Sequence, residues 1–97
     1  MEKNEELLCQ ITYEGHRISI SDNFELIIDD TIHDKDTSLP FGIPLISTTK
    51  LKGKIKRFRN ADITVRADLR HTGIGTLITI YADNQKIYSM HYVAPLF

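Results

Sequence analysis

Thr76-Leu77-Ile78-Thr79-Ile80-Tyr81-Ala82-Asp83-Asn84-Gln85-Lys86-Ile87-Tyr88-Ser89-Met90-His91-Tyr92-Val93 decides how the chain folds. Two β-prone runs flank Asp83-Asn84, a pair that tolerates the positive φ angles of a type I′ turn. A two-residue loop there sets Ala82 opposite Gln85. With unbroken alternation, Ile80 faces Ile87, Ile78 faces Ser89 and Thr76 faces His91. On the other side Tyr81 meets Lys86, Thr79 meets Tyr88 and Leu77 meets Met90.

Upstream, Ala61, Ile63, Val65, Ala67 and Leu69 alternate with Asp62, Thr64, Arg66, Asp68 and Arg70. The stretch Arg70-His71-Thr72-Gly73-Ile74-Gly75 is the turn of a preceding hairpin. A Thr72-Gly73 turn places Val65 opposite Ile80 and Ala67 opposite Ile78. One face then holds Ile63, Val65, Leu69, Ile78, Ile80, Ile87 and Val93, each contributing about 1.5–3 kcal/mol when fully buried. The reverse face holds Thr64, Arg66, Asp68, Arg70, Leu77, Thr79, Tyr81, Lys86, Tyr88, Met90 and Tyr92.

Toward the N-terminus, period-two alternation recurs at Leu7–Tyr13 and at Ile18–Ile20, and Phe24–Ile28 forms a third strand, with turns at Glu14-Gly15-His16 and Ser21-Asp22-Asn23. The pattern fails over 29–44, a long acidic stretch containing Pro40 and Pro44, which is expected to be a loop. Alternation resumes at Lys50-Leu51-Lys52-Gly53-Lys54-Ile55. The expected architecture is a single all-β domain over 1–97, a small antiparallel β-sandwich or partly open β-barrel built from meander hairpins.

The chain has 97 residues, 41 % of them hydrophobic and 26 % charged, an ordinary globular composition. Net charge is −1, but residues 1–49 carry −7 and residues 50–97 carry +6. The lone Cys9 cannot form an intrachain disulfide, and the acidic opening Met1-Glu2-Lys3-Asn4-Glu5-Glu6 lacks the apolar stretch of a secretory signal. Cytoplasmic localisation and no membrane association are the expectations.

The chemistry-bearing residues are few and scattered. His33-Asp34-Lys35-Asp36 has metal-ligating types, but a metal cage needs three or four converging groups, so a solvated acidic loop is the simpler reading. Thr72-Gly73-Ile74-Gly75-Thr76 resembles a phosphate-binding loop, yet a strand follows it rather than a helix. Cys9 lies on an apolar strand face without a nucleophile signature, as a small buried hydrophobe does. A non-enzymatic protein without cofactor or metal is expected.

Two surfaces remain. Arg66, Arg70, Tyr81, Tyr88, Met90 and Tyr92 are residue types enriched at protein interfaces, and the leading expectation is a protein-binding module, an inhibitor or adaptor, acting through that face. The arginines would bond carboxylates, and the acidic half would steer a basic partner. Alternatively, the sandwich core covers this face. The second surface is the run Lys50, Lys52, Lys54, Lys56, Arg57 and Arg59. It reads either as an edge strand guarded by lysines or as an anion-binding stripe. In the latter, Lys52, Lys54, Lys56, Arg57 and Arg59 bind a nucleotide or nucleic acid, with Phe58 available to stack. The overall acidity weighs against nucleic acid. Homo-oligomerisation, through the uncharged Leu77–Tyr81 run or the apolar tail Leu96-Phe97, is compatible with either reading.

Overall fold

The computed structural model describes residues 6–36, 47–72 and 74–93. They form eight strands in two four-stranded antiparallel sheets. The first sheet contains β1 (Leu7–Tyr13), β2 (His16–Ser21), β3 (Glu25–Ile28) and β4 (Thr31–Lys35) in sequential order. The second contains β5 (Ser47–Ile55), β6 (Ile63–His71), β7 (Gly75–Ala82) and β8 (Gln85–Val93), also in sequential order. The chain is thus an all-β pair of meanders, as its alternation implies. The tail Leu96-Phe97 and the second half of the proline-containing stretch, 37–44, lie outside the described residues.

Two-residue turns carry much of this topology. Glu14 and Gly15, Asp29 and Asp30, and Asp83 and Asn84 all have positive φ, as type I′ turns require. The middle pair corrects the sequence reading. The stretch expected to be a loop from residue 29 instead turns at once and adds β4 as a fourth strand. Neighbouring β2 holds that turn: Arg17 N donates to Asp29 Oδ1 at 3.0 Å, and the Arg17 guanidinium bonds Asp30.

The hairpin registers differ from expectation in two ways. Between β6 and β7, Val65 pairs with Ala82, Ala67 with Ile80 and Leu69 with Ile78, a slip of two residues. Thr72 N donates to Gly75 O at 2.8 Å, and the Thr72 hydroxyl accepts from Ile74 N and Gly75 N, moving the turn one residue along. A slip of two preserves sidedness, so the core face survives. Between β7 and β8 the slip is one residue. The pairs Ala82–Gln85 and Tyr81–Lys86 match expectation, but a bulge follows, and Ile80 pairs with Tyr88, Ile78 with Met90 and Thr76 with Tyr92. One inserted residue, Ile87, reverses the sidedness of everything beyond it. Tyr88, Met90 and Tyr92 therefore turn toward the core, and Val93 turns out.

The core draws on both sheets: Cys9, Ile18, Ile20, Leu26 and Ile28 from the first, and Leu51, Ile55, Ile63, Val65, Ala67, Leu69, Ile78, Ile80 and Ala82 from the second. The half-buried apolar residues around it include Leu8, Ile11 and Tyr13 on β1 and Ile87, Tyr88, Met90 and Tyr92 on β8. The core is sealed where β3 and β4 meet β5 and thins toward β1 and β8. The charge asymmetry maps onto the sheets. Residues 6–36 carry eight acids and two bases, whereas residues 47–93 carry three acids and nine bases.

Candidate functional site

The outer face of the second sheet collects six of the chain's twelve lysines and arginines. Alternation along β5 buries Leu51 and Ile55 and turns Lys50, Lys52 and Lys54 outward. Pairing then aligns these lysines with side chains on the neighbouring strands. Lys52 opposes Arg66, Arg66 opposes Tyr81, and Tyr81 opposes Lys86, giving one row about 14 Å long across four strands. A parallel row runs Lys50, Asp68, Thr79, Ser89, and the next runs Thr48, Arg70, Leu77, His91.

Arg66 is the best-anchored member of this face. Its guanidinium carbon lies 4.1 Å from the centre of the Tyr81 ring, Nε donates to Asp68 Oδ1 at 2.9 Å, and Nη1 donates to Asn84 Oδ1 at 3.3 Å. Stacking and bonding fix the fork before any partner arrives, reducing the entropy lost on docking. Among the described residues, the ammonium groups of Lys50, Lys52, Lys54 and Lys86 and the guanidinium of Arg70 are in no ion pair. The face thus presents cations in excess of its one carboxylate, Asp68.

The six residues expected to share a protein-binding face are therefore divided. Arg66, Arg70 and Tyr81 stay outward, while Tyr88, Met90 and Tyr92 pack against the core. The cause is the Ile87 bulge. The basic run is divided as well. Lys52, Lys54 and Lys56 line one cavity, whereas Arg57 donates from Nε to Ala61 O at 3.0 Å and from Nη1 to Glu14 Oε1 at 3.2 Å. Arg59 sits over the Phe58 ring at 5.3 Å, and Phe58 itself is 85 % exposed.

That cavity, about 470 Å³, lies where the two sheets meet and is lined by His33, Lys52, Gly53, Lys54, Lys56 and Thr64. The side chains of β4 reach across to the outer edge of β5: Lys52 N donates to Asp34 Oδ2 at 2.9 Å, and Lys54 N approaches His33 Nδ1 at 3.5 Å. Close approach depends on Gly53. A β-carbon there would stand 2.9 Å from Ile28 Cδ1 and 3.0 Å from His33 Cβ. His33 and Asp34, read from sequence as a metal-site fragment or a solvated loop, instead serve as edge caps for β5.

A second junction is buried. Asp36 Oδ2 accepts from His71 Nε2 at 2.8 Å, and His71 Nδ1 pairs with the Thr76 hydroxyl at 2.9 Å. The His71 and Asp36 side chains are 6 % and 0 % exposed. Phe24, at a positive φ of 58°, presents its ring edge-on to His71 at 5.1 Å. Hydroxyl, imidazole and carboxylate in line resemble a nucleophile relay, but Thr76 is sealed and gives a substrate no approach. The chain of bonds works as a clasp between the end of β4 and the end of β6. Sequence reasoning missed it, because Asp36 and His71 are 35 positions apart and no local motif joins them.

Two further groups have shifted acidity. Burial pushes the Cys9 thiol up to about 11, which removes the thiolate a nucleophile needs. The bond from His16 Nδ1, at 2.7 Å, holds the Asp29 carboxyl below its ordinary value, with help from Arg17 N. Comparison with protein-family models, with curated proteins and with solved structures gave no match, so the chemistry of these surfaces rests on their geometry alone.

Proposed function

We propose that the protein is a non-enzymatic docking module that binds an acidic protein surface through the outer face of its second sheet. One observation carries this reading: register places Lys50, Lys52, Arg66, Arg70, Lys86 and Tyr81 on one face with a single carboxylate. Arg66, pre-oriented on Tyr81, is the directional contact, and an arginine fork matches a carboxylate in two bonds. The lysines steer the encounter, with the negative first sheet facing away from the partner. That polarity replaces the earlier expectation of a basic partner.

A nucleic acid fits less well. The face offers one aromatic side chain, Tyr81, and Arg66 already covers it. A sequence pI near 6.4 is also far from the strongly basic balance usual for such domains. The test uses Arg66→Glu with Arg70→Glu, circular dichroism first establishing that the fold is intact. Acidic proteins captured by the wild type at low salt should be lost by the variant. Retention of every partner removes this face from consideration, and capture abolished by nuclease treatment transfers the face to nucleic acid.

A further inference from the structure

We infer that the cavity between β4 and β5 binds a phosphate-bearing small molecule of nucleotide size. This site goes beyond the docking face. It shares Lys52 and Lys54 with that face, but His33, Gly53, Lys56 and Thr64 belong to the cavity alone.

The cavity volume of about 470 Å³ lies in the ordinary range for small-ligand sites, roughly 300–1,000 Å³. Its lining converges from three strands and the segment after β5: His33 on β4, Lys52, Gly53 and Lys54 on β5, Lys56 just beyond, and Thr64 on β6. The ammonium groups of Lys52, Lys54 and Lys56 are in no ion pair among the described residues. The neighbouring carboxylates are differently placed. Asp34 accepts from Lys35 N and Lys52 N, and Asp83 accepts from Thr64 N at 3.0 Å. Main-chain amides bond these acids, and among the described residues no carboxylate pairs with the three lysines, whose stems line the cavity and whose ammonium groups are within reach of an anion at its mouth.

His33 adds a donor. Lys54 N–H points at Nδ1, so Nδ1 must present its lone pair and the ring proton sits on Nε2. Lysines acting as point charges, a ring N–H and a hydroxyl suit a phosphate, whose several oxygens accept at once. Gly53 lets His33 lie against the edge of β5, because a β-carbon there would stand 3.0 Å from His33 Cβ and push the ring away.

Calorimetric titration of the full chain at low ionic strength tests the site, with ATP, inorganic pyrophosphate and adenosine as probes. The expected result is saturable one-to-one binding of ATP and of pyrophosphate, with none for adenosine. Tighter binding of ATP than of pyrophosphate assigns the difference to the organic moiety. Lys54→Glu with Lys56→Glu should weaken ATP binding by about 100-fold, on the scale of two lost charge-assisted contacts. Lys54→Gln with Lys56→Gln serves as the milder pair if the first fails to fold. Arg70→Glu with Lys86→Glu, outside the cavity, should leave ATP affinity within about 3-fold, since those charges act only through screened solvent. No saturable heat from ATP or pyrophosphate, or equal loss in both variant pairs, overturns the assignment. Neither outcome bears on capture of an acidic protein, so this site and the docking face fail separately.

Discussion

The side where β4 meets β5 and the side carrying β1 and β8 solve the same problem differently. Among the described residues, each sheet has two outer strands with a ladder neighbour on one side only. At β5 the first sheet supplies the missing partners: Asp34 and His33 bond Lys52 N and Lys54 N, Gly53 allows the close approach, and the Asp36–His71–Thr76 clasp locks the adjoining end. At β1 and β8 the half-buried Leu8, Ile11, Tyr13, Tyr88, Met90 and Tyr92 surround the core without sealing it. The lesson concerns acidic residues in a stretch that looks like loop. In this fold they cap another sheet's edge, and the sandwich is closed by polar bonds on one side and by partial apolar cover on the other.

Truncation at the sealed and thin sides should show the contrast most strongly. Leu69→Ala, fully buried next to the clasp, should cost about 3 kcal/mol in urea unfolding, the scale of a deleted core side chain. Met90→Ala, half-buried on β8, should cost about 1 kcal/mol because its site can collapse or fill with solvent. Equal losses would mean that both sides are packed alike.

The clasp comes next. His71→Ala removes the imidazole from the buried Asp36 carboxyl group and should cost about 2 kcal/mol, the scale of one hydrogen bond lost at a buried carboxyl. Asp34→Ala removes a charged acceptor from one β5 amide, and about 1 kcal/mol is expected because solvent can replace it. Amide exchange should then quicken at Lys52 while the β6–β7 ladder stays protected. Exchange that quickens throughout would show that the sheets depend on each other more than these contacts imply.

The smallest effect is electrostatic and lies at the turn joining β3 to β4. Asp29 has its acidity strengthened chiefly by the His16 bond, so it favours the folded state at pH above its ordinary 3.8. That contribution disappears as pH falls through the lower folded value. Asp29→Asn should therefore flatten the acid limb of the stability curve slightly, and added salt should erase the difference, since the pair is exposed. An unchanged acid limb at low salt would contradict the assignment.

Strand identity is written in the period-two alternation, and the core set Ile63, Val65, Leu69, Ile78 and Ile80 follows from it directly. The Lys50, Lys52 and Lys54 stripe is equally plain for the same reason. Asp29-Asp30 was readable as a turn, since aspartate is among the residues that tolerate positive φ, but the acidic stretch beyond it hid the short β4. The Ile87 bulge carries no comparable mark: Lys86, Ile87 and Tyr88 suit a regular strand equally well. Only packing against Ile78 and Ile80 selects the bulged pairing, which brings Tyr88 and Met90 inward at the cost of one irregular step. A single inserted residue thus divided the expected surface, leaving Arg66, Arg70 and Tyr81 outside and taking Tyr88, Met90 and Tyr92 inward.

Methyl and aromatic nuclear Overhauser contacts across β7 and β8 test that rearrangement most directly. The bulged register predicts cross-peaks from Ile78 to Met90 and from Ile80 to Tyr88, with Tyr81 still opposite Lys86. Cross-peaks linking Leu77 to Met90 and Thr79 to Tyr88 instead would return Tyr88 and Met90 to the outer face beside Arg66, Arg70 and Tyr81, and the division of that surface described above would be wrong.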